Sequence, residues 1–477
     1  MKFLPSLLFI FSLVIPSFAT TQENIEIREV QQGEIGKIRL MSNNNIPQKV
    51  IVVRNGGTAP FVDDLIDTIQ TINEESDRMD LKLHVITTSP SSASSFKSKL
   101  QAQGLYGDLV EINSRFFTAD QWMQDWGEIA VAEVDGQDEL QPLILDSNRG
   151  RGLAGLPKVF ADLWDAYYIK NPARGSKGDY GGNIEVTPDN VLVLGSTSTP
   201  KLRKLFDEHG YENKRAILDT SWLIVGHVDE YVSFVPNASA DGGYTILKAD
   251  PALAFNLIKN ATEEQLNKTN PEYRSTIKEL HAKLNSFGKS IANVREFDLS
   301  DETDILKWQF GKGLLTEEES EQKIRLDQLI ALNEEITRLI DRNIVILKER
   351  IKAVTGTPDR QFSVVSLPTI FRGRKSGDTL SRCVALLPGV VNMLVLANHL
   401  VIPDAQMPML NDYIRETLNK ASLRSHFLDD MAYHNLAGEI HCGTNVMRNH
   451  ADYWVYPDHI ITMRKFKSLY ELRRDLK

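Results

Sequence analysis

The chain has 477 residues, of which 42% are hydrophobic and 25% carry a charge. This composition is typical of a globular protein with one large domain or two to three ordinary ones, and it argues against global disorder. The formal net charge of −10 argues against a general nucleic-acid binder, which is normally basic, and it suits a cationic substrate better. We therefore expect no nucleic-acid partner.

Residues 1–19 have the pattern of a secretory signal peptide. Lys2 gives a basic start, a short apolar run follows, and Ser17-Phe18-Ala19 has the small residues of a cleavage site. An uncleaved membrane anchor is the alternative, but the apolar run is short for a span of ~20 residues and prolines interrupt it. No later stretch of the sequence is apolar enough to cross a bilayer, so we predict a secreted protein without stable membrane insertion.

Residues 20–47 are polar and are predicted to form a flexible N-terminal lead. Residues 50–53 then form the apolar run of a buried strand, residues 61–72 have helical spacing, and residues 81–86 alternate as a strand does. This strand–helix–strand order predicts an α/β domain, which we place at residues 48–465.

Residues 250–352 change character and are predicted to form a helical insertion. This stretch is long and charged, with apolar residues such as Leu329, Leu332 and Ile336 at helical spacing. The sequence then returns to strands and ends in a basic tail at residues 466–477. Small strand–helix units with glycine-rich turns recur along the chain, as weakly similar blades of a propeller would.

The first segment with candidate chemistry is residues 121–129, where two acidic groups and two indoles are crowded. The pair Trp122 and Asp125 suits a planar cation, because the acid supplies charge and the ring supplies a π face. A tryptophan-rich corner of the core with solvated acids is the alternative.

Two glycine-containing loops follow. The loop at residues 145–153 carries Arg149 and Arg151, and arginine can hold a peptide carbonyl or carboxylate with its forked donors, or equally form a surface ion pair. The second loop, residues 178–185, places glycines next to Glu185. Its free backbone carbonyls and this carboxylate are possible oxygen ligands for a hard cation.

The next candidate pair is His227 and Asp229, which stand at alternate positions and would point to the same face of an extended strand. Such a pair supplies an acid/base group and an anion to one site, although it can also be structural. Near the C-terminus, Cys442 lies between His441 and Gly443. A thiol needs a neighbouring base or cation to become a thiolate, so the earlier segments supply natural partners for Cys442.

The chain has only two cysteines, too few for a disulfide scaffold in a protein of this size. Cys383 is expected to be a small core residue. The alternative is a disulfide between Cys383 and Cys442, which would disable the thiol chemistry.

Taken together, these segments resemble the protein-arginine deiminases of the pentein superfamily. The resemblance spans about residues 48–455, and the matching blocks keep the order and rough spacing of the family. The blocks are Trp122-Met123-Gln124-Asp125, Gly182-Asn183-Ile184-Glu185, Gly226-His227-Val228-Asp229-Glu230, Val391-Asn392-Met393-Leu394-Val395-Leu396 and Gly438-Glu439-Ile440-His441-Cys442-Gly443-Thr444-Asn445. The resemblance implies an α/β fold arranged as a five-bladed pseudo-symmetric propeller, with the site at its centre.

The resemblance also implies roles for four catalytic residues. Asp125 and Asp229 would grip the guanidinium of arginine through charge-assisted hydrogen bonds. The Cys442 thiolate would attack the guanidinium carbon. His227 would protonate the departing ammonia and then activate the water that releases citrulline.

Two further residues are implied in substrate binding. Trp122 would pack against the arginine stem, and Arg151 would contact the backbone of the substrate peptide. Leu436 stands where some members of the family have an arginine near the substrate, so this chain departs from the family pattern there.

Calcium is the cofactor that the resemblance implies, at a site next to the catalytic residues. The expected ligands are Gln124, Glu128, Gly181, Ile184 and Glu185. A second calcium site of the family is only half kept, because Asp146 and Ser147 match it while Trp126 and Gly150 replace an acid and an amide. We therefore expect at most a reduced dependence on calcium.

The sequence thus predicts a secreted protein-arginine deiminase that acts on arginine in proteins or peptides. A deiminase of free arginine or agmatine is the first alternative, since it would use the same four residue types. A catalytically inactive propeller that binds calcium or peptides is the second. A cysteine protease is disfavoured, because paired aspartates would not help to cleave an uncharged amide bond.

Overall fold

The computed structural model describes residues 34–286, 326–376 and 379–453. The predicted signal peptide at residues 1–19 and the predicted basic tail at residues 466–477 lie outside these described residues. No helix in the described part of the chain is long and apolar enough to cross a membrane.

Strands and helices alternate through the described residues. The strands are β1 Ile35–Leu40, β2 Asn45–Arg54, β3 Lys82–Thr87, β4 Val110–Ile112, β5 Gly127–Val134, β6 Gln141–Asp146, β7 Tyr167–Lys170, β8 Ile184–Val186, β9 Leu192–Gly195, β10 Arg215–Leu218, β11 Val232–Pro236, β12 Tyr244–Asp250, β13 Ser363–Pro368, β14 Phe371–Ser376, β15 Thr379–Ala385, β16 Leu394–Leu396, β17 His399–Pro403, β18 Arg424–Leu428 and β19 Thr444–Tyr453. The α-helices are α1 Ala59–Glu75, α2 Pro90–Ala102, α3 Leu156–Leu163, α4 Pro200–Phe206, α5 Pro251–Lys259, α6 Glu263–Asn267, α7 Pro271–Ser286, α8 Leu326–Thr355, α9 Pro408–Asn419, α10 Met431–His434 and α11 Ile440–Gly443.

Five of the sheets among the described residues share one pairing pattern. In each, an antiparallel pair is extended by a strand that runs parallel to its neighbour, as in β8-β9-β10, β11-β12-β13 and β16-β17-β18. The sheets β1-β5-β6-β7 and β19-β2-β3-β4 follow the same rule with one more strand each, and β14-β15 is a separate hairpin. The predicted α/β class is therefore confirmed, while the arrangement of these sheets as five blades stays a prediction.

A helix connects each parallel pair, as parallel strands require a crossover. The crossovers are α1 between β2 and β3, α2 between β3 and β4, α3 between β6 and β7, α4 between β9 and β10, and α9 between β17 and β18. Between β12 and β13 the crossover contains α5, α6, α7 and α8, so the predicted helical insertion lies within one strand–helix–strand unit.

Strand β2 is covered on both faces, because its side chains alternate. Val50 and Val52 pack with the apolar face of α1, whereas Ile51 and Val53 pack with Met123 and the rest of the segment that follows β4. The burial of this strand matches its apolar sequence and places its C-terminal end close to the candidate catalytic segments.

Helix α8 buries an apolar stripe that includes Leu332, Ile336 and Leu347. It also carries the buried Asn343, whose Nδ2 donates to Tyr231 Oη at 2.9 Å and whose Oδ1 accepts from Asp219 N at 3.1 Å. The insertion thus packs against the segment that leads into β11.

The N-terminal part differs from the predicted flexible lead at residues 20–47. Within its described residues, β1 pairs antiparallel with β5 over Ile38–Leu40, and β2 already begins at Asn45. The backbone of β1 forms hydrogen bonds with β5, which would otherwise be an edge strand. This pairing joins segments far apart in the sequence, so the local polarity of residues 20–47 does not reveal it.

Candidate active site

The candidate nucleophile lies in a short helical turn. Cys442 belongs to α11 and is 6% exposed, and β19 begins directly after it with Thr444 opposite Val52 of β2. This pairing fixes the turn at the C-terminal end of β2. Cys383 and Cys442 are both buried, and they do not form a disulfide with each other.

His227 and Asp229 lie close together, but a turn and not the predicted strand brings them there. The prediction of an extended strand here is wrong, because a 3₁₀ turn occupies Val228–Glu230 and His227 precedes it in extended conformation. The Glu230 carboxylate accepts hydrogen bonds from the backbone N–H groups of Gly226 at 3.1 Å and His227 at 2.9 Å. These bonds hold the turn that brings His227 and Asp229 together.

The two side chains meet above Gly182. A Cβ on Gly182 would lie 2.6 Å from His227 Nδ1 and 2.8 Å from Asp229 Oδ2, so glycine is required for this close approach. On the other side, Cys442 Sγ lies 3.7 Å from Asp229 Oδ2. Histidine, carboxylate and thiol are therefore neighbours, although they come from distant segments of the chain.

The backbone sets the tautomer of His227. Its Nε2 lies 2.7 Å from the carbonyl oxygen of Lys177, and because a carbonyl only accepts hydrogen bonds, Nε2 carries the proton. The other ring nitrogen, Nδ1, is buried without a hydrogen-bond partner and faces Gly182 beside Asp229. Nδ1 is thus the nitrogen available for proton transfer at this centre.

Asp125 contacts a buried arginine that the sequence analysis did not assign to the site. Arg149 Nε lies 3.3 Å from Asp125 Oδ2, Arg149 Nη1 lies 2.9 Å from Asp120 Oδ2, and the guanidinium carbon lies 5.4 Å from the ring centroid of Tyr180. Burial raises the pKa of Asp125, and the charge of Arg149 opposes that rise. Arg149 therefore favours the ionised form of Asp125.

The two predicted substrate-binding residues lie toward the surface side of this centre. The half-buried ring of Trp122 packs against Gly438, since a Cβ on Gly438 would lie 2.3 Å from Trp122 Cζ3 and 3.3 Å from Cys442 Cβ. The side chain of Arg151 is 66% exposed, and its Nε lies 4.0 Å from Asp120 Oδ2. Arg151 can therefore reach a bound molecule only at the rim of the site. Trp122 lies beside the nucleophile turn, the short helix α11 that carries Cys442.

The electrostatics of the centre favour a bound cation. Burial raises the pKa of the Cys442 thiol well above its usual value, and the charges of Asp229 and Asp125 raise it further. A cation between these carboxylates would offset their effect on the thiol. The arrangement therefore suits a nucleophile that acts on a positively charged group.

His441 connects this centre to a second group of buried acids. Its Nδ1 lies 2.8 Å from Asp229 Oδ2, and its Nε2 lies 3.7 Å from Glu185 Oε1. Burial alone would lower the pKa of His441, but the hydrogen bond to Asp229 and the charges of Asp229 and Glu185 outweigh it and raise the pKa.

The predicted calcium ligands surround a small cavity on the far side of His441. Its volume is about 40 Å³, and Gln124, Glu128, Ile184 and Glu185 line it together with Arg448. Gln124 Nε2 donates to Glu128 Oε1 at 3.2 Å. The remaining predicted ligand, Gly181, packs directly against Gln124 and Glu128.

The donor chemistry of this cavity fits a hard cation. Burial raises the pKa of Glu185 to about 7, and burial followed by the charge of Glu185 raises the pKa of Glu128 well above its usual value. Two buried carboxylates that repel each other, with amide and carbonyl oxygens beside them, are donors that Ca²⁺ accepts. In the described part of the chain, no cluster of three or more His, Cys, Asp or Glu side chains could hold a metal, so the carbonyl and amide oxygens would have to complete this site.

The residues that match the half-kept second calcium site are engaged within the protein. Asp146 Oδ1 accepts from Asn148 N at 2.7 Å and Asp146 Oδ2 accepts from the Tyr168 hydroxyl, while Ser147 Oγ donates to Asp125 O at 2.6 Å. Trp126 is fully buried in the core. These contacts engage the oxygens of Asp146 and Ser147 within the protein, and the half-kept second site stays a prediction.

An α/β scaffold that holds a thiol, a histidine and two carboxylates at one buried centre defines a class of proteins suited to guanidinium chemistry. The sequence profile described as "Protein-arginine deiminase (PAD)" matches residues 108–455. Because this match covers well over half of the 477 residues, the chain belongs to the protein-arginine deiminase family.

Individual relatives agree with this assignment. Protein-arginine deiminase type-3 of Mus musculus is 28% identical over 367 residues, which cover 69% of this chain and 46% of the relative. Protein-arginine deiminase type-4 of Homo sapiens is 29% identical over 363 residues, with the same two coverages. The matched part of the chain thus spans about half the length of these relatives. Among solved structures, an agmatine deiminase from C. jejuni has a TM-score of 0.49 and 15% sequence identity, covering 90% of this chain and 99% of that chain.

Proposed function

We propose that this protein is a secreted protein-arginine deiminase, which converts peptidyl-arginine to peptidyl-citrulline and ammonia by covalent catalysis. The observation that carries the proposal is the meeting of Asp125, His227, Asp229 and Cys442 at one buried centre. A pair of carboxylates next to a thiol and a histidine matches the needs of a substrate that is a planar cation. Family membership makes a guanidinium the first choice for that cation.

In the first half of the reaction, the guanidinium would bind between Asp125 and Asp229, and its charge would offset the two carboxylates that raise the pKa of Cys442. The Cys442 thiol would then give its proton to Nδ1 of His227, and the resulting thiolate would form a bond to the guanidinium carbon. The bond from this carbon to one terminal nitrogen would break. Nδ1 of His227 would give the leaving nitrogen a proton, and ammonia would depart.

In the second half, Nδ1 of His227 would accept a proton from water, and the resulting hydroxide would attack the same carbon. The carbon–sulfur bond would break, returning the Cys442 thiolate and leaving the uncharged ureido group of citrulline. The sum is guanidinium plus water giving a ureido group plus ammonium. The Lys177 carbonyl supports both steps, since it keeps the proton on Nε2 and leaves Nδ1 for the chemistry.

Trp122 and Arg151 would position the rest of the substrate. The ring of Trp122 beside the nucleophile turn is suited to pack against the aliphatic stem of arginine. The exposed Arg151 would hold a backbone carbonyl of a peptide, which a deiminase of free arginine or agmatine does not need.

Calcium is proposed as a supporting cofactor at the cavity of Glu128 and Glu185. When bound, it would supply positive charge to these two carboxylates and fix Gln124 and Glu128 next to the segment of Asp125. Arg448 already contributes one buried positive charge to this cavity, and the charge of Glu185 raises the pKa of Arg448 against the stronger effect of burial. This internal cation supports the proposal that dependence on calcium is reduced.

We also propose the five-bladed arrangement and secretion. Five sheets with one pairing pattern support a five-bladed pseudo-symmetric propeller with the site where the units meet. Secretion rests on the sequence pattern of residues 1–19 alone.

The choice of substrate is tested by comparing kcat/KM for a blocked arginine peptide, free arginine and agmatine. We expect turnover of the peptide by the wild-type protein. Arg151→Ala should lower kcat/KM for the peptide by about tenfold, because a charge-assisted hydrogen bond to the substrate is lost. The Tm of the variant protein should equal that of the wild type, since Arg151 is exposed. Turnover of only free arginine or agmatine would contradict the peptide assignment. Binding without any turnover would favour the inactive propeller.

A further inference from the structure

The nucleophile turn is hydrogen-bonded to a second turn, which has no part in the mechanism proposed above. This second turn, residues 389–392, precedes β16 and closes on itself by a hydrogen bond from Asn392 N to Gly389 O at 3.0 Å. Three hydrogen bonds join it to the segment of Cys442. Gly389 N donates to Glu439 Oε1 at 2.9 Å, His441 N donates to Asn392 O at 3.1 Å, and Cys442 N donates to Asn392 Oδ1 at 3.2 Å.

Asn392 is an unusual residue for its surroundings. It is 1% exposed, and its neighbours Val390, Val391 and Met393 are buried apolar side chains. A buried amide in such an apolar segment is costly unless it is hydrogen-bonded. Its Oδ1 meets the backbone N–H of Cys442, while its Nδ2 is buried without a hydrogen-bond partner.

The nucleophile turn needs outside support, because it is too short to hold itself. Helix α11 has four residues and no side-chain N-cap, so it forms a single turn whose conformation must come from other contacts. Thr444 Oγ1 donates to Ile440 O at 2.9 Å and steadies the exit from the turn. In the described residues, the backbone N–H of Cys442 donates to the side-chain oxygen of Asn392, so this contact acts directly on the backbone of the nucleophile.

We propose that Asn392 is a positioning residue for the nucleophile: its side-chain oxygen fixes the backbone of Cys442 and thereby aims Sγ at the site between Asp229 and Asp125. Fixing the N–H of Cys442 fixes its Cα–Cβ direction, and the rotamer is then limited by burial. The inference rests on the proposed function for the meaning of the nucleophile, but the geometry that it describes does not depend on the substrate.

The test compares Asn392→Ala with wild-type protein in steady-state kinetics on a blocked arginine peptide. Loss of one buried positioning hydrogen bond should lower kcat by about tenfold and change KM by less than about twofold. A purely structural role would lower the Tm without this split between kcat and KM.

A second readout needs no substrate. The rate at which iodoacetamide alkylates Cys442, followed by mass spectrometry of the Cys442 peptide, should rise by about threefold or more in Asn392→Ala, because a loosened turn exposes the buried thiol more often. Opposite changes in turnover and alkylation are the signature of a lost positioning contact.

Asn411 provides the matched control. It is also buried, and its Oδ1 accepts a backbone hydrogen bond from Ala405 at 3.0 Å, but it lies on α9 outside the candidate site. Asn411→Ala should lower the Tm to a similar extent as Asn392→Ala and leave kcat and the alkylation rate at wild-type values.

The inference is overturned if Asn392→Ala keeps both kcat and alkylation within about twofold of wild-type values. If Asn392→Ala does not fold, Asn392→Asp keeps an oxygen for the Cys442 N–H and adds a negative charge that disfavours the thiolate, so it should alkylate no faster than the wild-type protein; alkylation raised threefold or more would contradict the inference. A wild-type protein without citrulline release would contradict the proposed function, whereas the alkylation experiment would still decide the role of Asn392.

Discussion

The catalytic centre and the helical insertion are built in opposite ways. The insertion buries an apolar stripe of α8 and leaves its charges at the surface, as in the pair of Lys283 and Asp327 at 2.7 Å. The centre places the buried Asp229 and the partly buried Asp125 next to a thiol, and some of its buried polar atoms have no hydrogen-bond partner, including His227 Nδ1 and Asp229 Oδ1. The insertion therefore contributes to stability, whereas the centre holds groups whose burial opposes it.

Substitutions in the two regions should therefore affect different quantities, turnover in one case and stability in the other. Removal of a buried charge from the centre should lower turnover and leave the stability equal or higher, because buried charges destabilise the fold. A change in the core of the insertion should lower the stability and leave turnover per folded molecule unchanged. Asn343 contacts Asp219 and also Tyr231, which directly follows the turn that carries Asp229, and it thereby links the two regions.

The largest effect is expected for Asp229→Asn. Because Asp229 Oδ2 lies 3.7 Å from Cys442 Sγ and would hold the substrate cation, loss of its charge should lower kcat/KM for the peptide by about a hundredfold or more. The Tm should not fall. Asp327→Asn at the surface of α8 is the control and should leave kcat/KM unchanged. Equal losses in the two variants would remove the distinction between the regions.

The converse experiment is Ile336→Ala in α8. Ile336 is fully buried, so its truncation should reduce the free energy of unfolding by about 2–5 kcal/mol through lost apolar contacts and a cavity. The kcat per folded molecule should stay at the wild-type value, measured well below the Tm of the variant. A tenfold fall in kcat with little change in stability would show that the insertion takes part in catalysis.

The pH dependence of stability should originate in the centre. Burial raises the pKa of Glu230 to about 8, above its value in the unfolded chain. Between about pH 4.5 and pH 8, the folded state therefore keeps a proton on Glu230 that the unfolded chain has lost. The free energy of unfolding is highest below about pH 4.5 as far as this group is concerned, and it falls by a few kcal/mol as the pH rises to about 8. Glu230→Gln keeps an oxygen for the Gly226 and His227 N–H groups and should flatten this fall, as measured by urea unfolding between pH 5 and pH 8. An unchanged slope would contradict the assignment.

The smallest effect is expected from calcium. Removal of metal with EDTA should lower kcat/KM by no more than a few-fold, since Arg448 shares the cavity of Glu128 and Glu185. Added Ca²⁺ should still raise the Tm, because binding at a hundredfold excess over the dissociation constant adds about 2.7 kcal/mol to the free energy of unfolding. Glu185→Gln should abolish this shift. A protein that is inactive in EDTA and needs millimolar calcium to recover would contradict the reduced dependence.

The sequence predicted the parts of the molecule whose signals are local. The apolar run at residues 50–53 became the centre of β2, the spacing around Ile336 became α8, and the predicted catalytic types His227 and Cys442 lie in one site. These features depend on periodicity or on rare chemical groups, which are visible without knowledge of the fold.

Other parts depend on contacts between distant segments. Arg149 and Arg151 look equivalent in the sequence, yet Arg149 is buried against Asp125 and Arg151 is exposed at the start of a 3₁₀ turn. The turn that carries Asp229 and the pairing of β1 were also hidden, because hydrogen bonds from the Gly226 and His227 N–H groups to Glu230 and a long-range strand pair determine them.

The proposed function requires Cys442 to perform covalent chemistry on a guanidinium held by two carboxylates. The most direct measurement is citrulline release from a blocked arginine peptide by wild-type protein and by Cys442→Ala, together with the peptide affinity of both proteins. We expect release by the wild-type protein, no detectable release by Cys442→Ala, and unchanged peptide affinity in the variant. Citrulline release that survives in Cys442→Ala would contradict the account.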